Sequence, residues 1–223
     1  MTPGLYVVGT PIGNLEDLSS RAVNTLRDVS LILAEDTRHT RILLDRYEIR
    51  TRLSSCHKFN EASIAEGVVA RIRGGEAIAL VSDSGMPGIS DPGARMVAAC
   101  RDEGLHVIVV PGPSAVTAAV AASGFAANGF LFAGFAPRKA GALRRLLLRI
   151  ADCPVPVALF ESPYRLLKLL AAVEDELGDR RLFLGRELTK KFEEGRRGTA
   201  AEIRAAFSGR SVKGELVLVI APR

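Results

Sequence analysis

Tryptophan is absent from this 223-residue chain, tyrosine occurs three times, and cysteine stands only at positions 56, 100 and 153. Three widely spaced cysteines without a CxxC pair exclude a disulfide-stapled miniprotein and give no zinc-ligand pattern. They read as small buried hydrophobes. No apolar run approaches the roughly 20 residues that cross a bilayer. The first residues, MTPGLYVVGTPIGN, show no basic segment followed by an apolar stretch and a cleavage site. The expectation is a soluble, cytoplasmic protein. GxGxxG, GxxxxGK[ST] and GxSxG are all missing, which argues against a dinucleotide fingerprint, a P-loop and a nucleophile elbow. Without a Walker lysine, phosphoryl transfer is disfavoured, and with only His39, His57 and His106 a Ser-His-Asp hydrolase is poorly supported.

The chain is 48% apolar and 25% charged, an ordinary globular balance, and is long enough for one large domain or two compact ones. Short β-branched runs, LYVV (5–8), LILA (31–34), AIALV (77–81) and VIVV (107–110), alternate with helical patterns, as in a parallel sheet with crossover helices. Ala22, Val23, Leu26 and Val29 share one helical face, and Ile64, Val68 and Ile72 another that a Gly pair ends. After PGPSA the α/β pattern restarts, but the closely spaced strands near the end point to a mixed sheet. Two prolines flanking a glycine at Pro111–Pro113 mark the junction. The expectation is two α/β domains, 1–111 with a mainly parallel sheet and 112–223 with a mixed one, and a ligand cleft between them.

In open parallel sheets ligands bind beyond the carboxyl ends of the strands. Four segments there are unusual: GTPIGNL, AEDTRHTR, SDSGMPGISDPG and PGPSA. Glycine lets backbone approach a ligand, and proline stiffens a loop so that little ordering entropy is lost on binding. Taken singly, each is accounted for by the end of a strand; four on one sheet edge favour a binding site.

GTPIGNL, AEDTR, SDSGMPGISDPG, PGPSA and GRELTKKFEE, in this order and spacing, resemble the tetrapyrrole methylase fold family, and in particular its members that modify ribosomal RNA. The resemblance spans Leu5 to Ile220. It implies S-adenosylmethionine bound between two domains, a homodimer, and methyl transfer to the ribose 2′-hydroxyl of a cytidine in small-subunit (16S) ribosomal RNA, free or in the 30S particle. It also implies cofactor contacts at Ile12, Asp83, Gly85, Met86, Ile89, Ser114, Ala115, Leu188 and Gly214. Met86 stands where many relatives have Asp, so backbone groups of Met86 and Ile89 take over holding the donor. Ser114 is equally a helix N-cap. Rivals are a same-fold methylase of a tetrapyrrole or other small substrate, and a non-catalytic RNA-binding module. Family members commonly continue past the strand matching GELVLVI with a further helical region, whereas this sequence runs to Arg223; the catalytic core is expected within it.

The chemistry asks for alignment, exclusion of water and help with proton loss; no metal is required. Glu35, Asp36 and Arg38 follow a strand directly, either as site residues or as the charged first turn of the helix TRHTRILLDRY. In GRELTKKFEE, Lys190 or Arg186 can stabilise negative charge, while Glu187 can equally be tied in an ion pair with either. From Pro137 to Ile150 there are five basic residues, Arg138, Lys139, Arg144, Arg145 and Arg149, and no acid. Leu143, Leu146, Leu147 and Ile150 lie on the opposite helical face. Such a face is ordinarily just solvated; with the resemblance it becomes a candidate phosphate contact.

Overall fold

The structure is a computed structural model that describes residues 1–125 and 128–223. The chain divides into two units, Met1–Ser114 and Ala115–Arg223, directly after the Pro111–Pro113 segment. In the first, β1 (Gly4–Val8), α1 (Ser20–Asp28), β2 (Leu31–Ala34), α2 (Thr37–Arg46), β3 (Leu53–Ser55), α3 (Glu61–Arg73), β4 (Ala77–Val81), α4 (Ala94–Asp102) and β5 (Val107–Val110) follow one another. The five strands form one wholly parallel sheet in the order β3-β2-β4-β1-β5.

Strands β1, β2 and β4 are buried throughout because both faces of this sheet are covered, and this is why they read as continuous apolar runs. Tyr6, Val8, Ile32 and Ala79 pack with Ala22, Leu26 and Leu44 of α1 and α2. Leu5, Val7, Leu33 and Leu80 pack with Val68, Ile72 and Met96 of α3 and α4. Ser19 caps α1 by accepting from the Ala22 N–H, and Gly74 closes α3. α4 begins at Gly93, which has no capping side chain of its own. Glu61, the first residue of α3 and only 4% exposed, supplies the acceptor: its Oε1 takes the N–H groups of Gly93 at 3.0 Å and Met96 at 2.9 Å. A carboxylate at a helix N-terminus is also favoured by the helix dipole.

The second unit runs α5 (Ala115–Ser123), β6 (Leu131–Phe135), α6 (Ala140–Ile150), β7 (Val157–Glu161), α7 (Leu166–Leu177), β8 (Leu182–Arg186), β9 (Glu194–Gly198), α8 (Ala200–Phe207) and β10 (Leu216–Ile220). Its sheet, β6-β7-β10-β8-β9, is mixed: β6 pairs parallel with β7 and every other pairing is antiparallel. Leu146, Leu147, Leu169, Leu170, Ile203 and Phe207 of α6, α7 and α8 cover one face. Val116, Ala119 and Val120 of α5 pack on the other.

Two strands carry no apolar signature. β3 (LSS) and β9 (EGRRG) are edge strands whose neighbours supply the pairing. The segment RLFLGRELT is strand only to Arg186, because Glu187 (φ 51°) and Thr189 (φ 68°) turn left-handed. Among the described residues no helix is long and apolar enough to cross a membrane.

Removing the Glu61 carboxylate leaves two buried N–H groups unpaired, which costs about 1–3 kcal/mol. Urea unfolding of Glu61→Ala is expected to show a loss of that size, and Glu61→Gln, which keeps one acceptor, a smaller one; an unchanged midpoint for Glu61→Ala would show that the buried cap contributes nothing.

Candidate functional site at the carboxyl edge of the first sheet

The strand order sets the ends of β2, β4, β1 and β5 side by side, so AEDTR, SDSGMPGISDPG, GTPIGNL and PGPSA leave one edge as neighbours. Backbone locks them together. Thr10 N–H donates to the Gly85 carbonyl at 2.9 Å, Gly85 N–H returns the bond at 3.1 Å, and Thr10 Oγ1 donates to the Ser82 carbonyl at 3.1 Å. Gly9 N–H donates to the Val110 carbonyl at 3.0 Å. A Cβ on Gly9 would stand 2.7 Å from the backbone of Gly112 and 2.6 Å from Met86 Sδ, so this crossing admits no side chain. Gly85, with φ 82°, lies against Ile12 and the Pro113 carbonyl. Farther along, Ile89 N–H donates to the Met86 carbonyl at 3.3 Å, and the Ile89 side chain is 49% exposed at the loop's crest.

The two adjacent carboxylates differ. Asp36 caps α2, accepting from Arg38 N–H at 2.8 Å and from the Arg38 guanidinium at 2.9 Å. Those bonds hold its pKa at about 2. Glu35 is shifted the other way: burial raises its pKa, the Asp83 carboxylate raises it further, and an N–H donor, Lys58 and His57 partly oppose them. Asp83 Oδ1 accepts the Asp36 N–H at 2.9 Å, so this residue of the β4 loop fixes the start of the β2 loop. Beside it a cavity of about 110 Å³ is lined by Thr10, Pro11, His39, Thr40, Ser82 and Asp83 among others. Thr40 Oγ1 is buried and has no hydrogen-bond partner among the described residues.

In the second unit Glu187 is held through one carboxylate oxygen. Its Oε1 accepts from Lys190 Nζ and from Glu215 N–H, each at 2.9 Å, while Lys190 also reaches Glu215 Oε2 at 2.9 Å. These donors hold the Glu187 carboxyl below its ordinary range despite the opposing effect of burial, and the two carboxylates raise Lys190 against its own burial. A Cβ on Gly214 would land on the Glu187 carboxyl. Leu188 packs over Gly185 and joins the apolar cluster under α5. Ser114 directly precedes α5, and Ala115 opens it.

Of the five basic residues expected at RNA, Arg144 is tied to Glu176 of α7 at 2.7 Å. Arg145 and Arg149 line an open groove with Phe135 and Pro137, and Arg138 and Lys139 are exposed before α6. Sequence reasoning missed Glu61, Thr10 and the turn His57–Asn60. The signal for the last was present in HKFNE, an Asn three residues after a His, but the strand that delivers it is not apolar.

The family model "Tetrapyrrole (Corrin/Porphyrin) Methylases" matches residues 4–204. A protein of Thermotoga maritima named "Ribosomal RNA small subunit methyltransferase I" is 45% identical over 97% of this chain and 97% of its own length. One of Mesorhizobium japonicum with the same name is 43% identical over 100% of this chain and 76% of its length. Among solved structures, diphthine synthase superposes with a TM-score of 0.73 at 12% identity, covering 97% of this chain and 89% of that one. Cobalt precorrin-4 methyltransferase gives 0.70 at 18% identity, over 97% and 94%; at these identities the likeness is one of fold. The chain belongs to the tetrapyrrole methylase family of S-adenosylmethionine-dependent methyltransferases.

Proposed function

We propose that this protein methylates the ribose 2′-hydroxyl of a cytidine in small-subunit (16S) ribosomal RNA, acting in the cytoplasm as a homodimer. The observation that carries the reading is the set of relatives named for small-subunit ribosomal RNA methylation, 42–45% identical over nearly the whole chain. The geometry supplies the chemistry.

S-adenosylmethionine supplies an electrophilic methyl group on a sulfonium. The glycine crossing at Gly9, Gly85 and Gly112 lets three of the loops assigned to the donor meet backbone to backbone, which fixes them beside one another at the sheet edge. Ile12, Asp83, Gly85, Met86 and Ile89 would hold the donor from the first unit, Ile89 through its exposed apolar side chain. Ser114, Ala115, Leu188 and Gly214 are assigned donor contacts on the resemblance.

Glu35 is the proton acceptor in this reading. A carboxylate is far too weak to ionise a ribose hydroxyl beforehand, so Glu35 takes the proton as the oxygen attacks, and its raised affinity for protons suits it to that. Asp36 is a poorer base, held ionised by Arg38, and its part with Arg38 is to set the helix start that aims Glu35. Lys190, already shared by two carboxylates, and Glu187 shape the turn that presents Leu188. Arg138, Lys139, Arg145 and Arg149 contact phosphates; Arg144 is held away by Glu176.

Transfer of labelled methyl from S-adenosylmethionine to 30S particles and to naked 16S RNA, with mapping of the product, is expected to place the label on a cytidine ribose. Label on a base, or only on a tetrapyrrole, would overturn the reading.

Glu35→Gln is expected to lower kcat roughly 10²- to 10⁴-fold with donor affinity intact. It should also abolish an acid limb of the pH profile that lies above the ordinary value of 4.5. A raised pKa means that the folded chain binds this proton more tightly than the unfolded one, so stability falls as pH climbs through the window above 4.5. Ionised Glu35 is therefore a cost to folding at neutral pH, and Glu35→Gln should not destabilise. Loss of activity and stability together would assign Glu35 a structural role.

Arg145→Ala with Arg149→Ala should flatten the dependence of log affinity on log salt by about 0.7 per lost single-strand contact. Arg144→Ala should leave that slope unchanged.

A further inference from the structure

One exposed feature beside Glu35 has no part in the mechanism above. The loop that leaves β3 carries His57, Lys58, Phe59 and Asn60, and Phe59 is 83% exposed. A ring so open on a loose loop would mean little, but this loop is braced. Asn60 Oδ1 accepts the His57 N–H at 2.7 Å, and Asn60 Nδ2 donates to the Ser55 carbonyl at 3.1 Å. Phe59 N–H donates to His57 Nδ1 at 3.3 Å.

Both ends of the turn are anchored in the candidate site. At its start, Cys56 N–H donates to the Ala34 carbonyl at 2.8 Å, one residue before Glu35. At its end, buried Glu61 caps α4, which emerges from the loop 82–93. The turn therefore joins the acid to the donor loop.

A cation and a second ring flank Phe59. Lys58 Nζ stands over one face of the ring, 4.8 Å from its centroid, and the His57 ring meets it edge-on at 6.0 Å between centroids. The turn that carries Lys58 and His57 is tied through Cys56 to the end of β2, directly before Glu35. With the ammonium over one face and Phe59 83% exposed, the opposite face of this braced aromatic suits a flat, electron-rich partner that carries its own negative charge. An unpaired nucleotide is such a partner: its base stacks on an aromatic ring whatever its identity, and its phosphate meets a cation. Phenylalanine loses little side-chain entropy on binding, and the braced turn loses little more.

We propose that the His57–Asn60 turn is a stacking platform for single-stranded RNA, in which an unpaired base of the substrate strand rests on Phe59 while Lys58 meets the adjoining phosphate. The assignment rests on the RNA-methylating function proposed above and names Phe59 as a positioning residue for that substrate.

The test uses the full-length protein and a single-stranded RNA oligonucleotide carrying 2-aminopurine. The wild type is expected to quench its fluorescence on binding. Phe59→Leu should lose the quenching and bind about tenfold to a hundredfold more weakly, the loss of one stacked base. Phe59→Trp should restore both, and Lys58→Gln should flatten the salt dependence by about 0.7 in slope. With labelled donor, Phe59→Leu should raise KM for RNA while kcat and donor affinity hold. Thermal unfolding of each variant should match the wild type, because this side chain is not packed.

An absence of quenching by the wild type, or equal binding by Phe59→Leu, overturns the platform. So does a shift from dimer to monomer in sedimentation with RNA affinity unchanged, which would make the ring a face for a second copy of the chain. The RNA-methylating function is judged separately: binding and quenching as expected, without methyl incorporation into RNA, would refute that function and leave the platform standing.

Discussion

Two glycines in contact set the geometry on which the rest of the first unit depends. Gly9 follows β1 and Gly112 follows β5, and any side chain at Gly9 would strike the backbone of Gly112. The neighbouring exchange of N–H and carbonyl between Thr10 and Gly85 ties the β4 loop into the same crossing. Three loops are thus joined chiefly through main chain, with the Thr10 hydroxyl and the Met86 side chain filling in at the crossing. The donor proposed for this edge would meet loops that have little freedom left to lose.

The second consequence is electrostatic. Glu35 and Asp36 are consecutive, yet their proton affinities are driven apart, one by burial and a neighbouring carboxylate, the other by Arg38 and a helix N-terminus. Asp83 links the two effects: it takes the Asp36 N–H, which fixes the turn, and its charge raises Glu35. The loop proposed to hold the donor thereby also tunes the group beside it. Separation of titratable neighbours in this way is how acid and base roles are usually assigned to adjacent carboxylates.

How much of this was legible in the sequence follows from what each residue touches. LILA and AIALV are strands over the same residues that the apolar pattern marks, because burial on both sheet faces leaves a one-dimensional signature; VIVV is strand over its marked residues too, although it lies at the sheet's edge and is only partly buried. LSS and EGRRG leave none: an edge strand takes its pairing from its neighbour, and only β2 and β8 reveal it. The loops could be read because glycine and proline are needed where backbone meets backbone. Which carboxylate carries the raised pKa could not, since that is set by Asp83, far along the chain. Nor could the difference between Arg144 and Arg145, adjacent in sequence on one basic helix; Glu176 engages the first and leaves the second on an open groove. Glu187 was readable only as a choice between ion pair and site residue, and its bonds to Lys190 and Glu215 N–H show the pair formed.

The most direct test of the backbone-walled edge is a calorimetric titration of Gly9→Ala with S-adenosylmethionine, alongside the wild type. A methyl group there has nowhere to go but into Gly112 and Met86, so donor binding is expected to be lost while circular dichroism shows the secondary structure intact. Wild-type affinity in that variant would mean that the donor is held elsewhere, and the account given for the edge would be wrong.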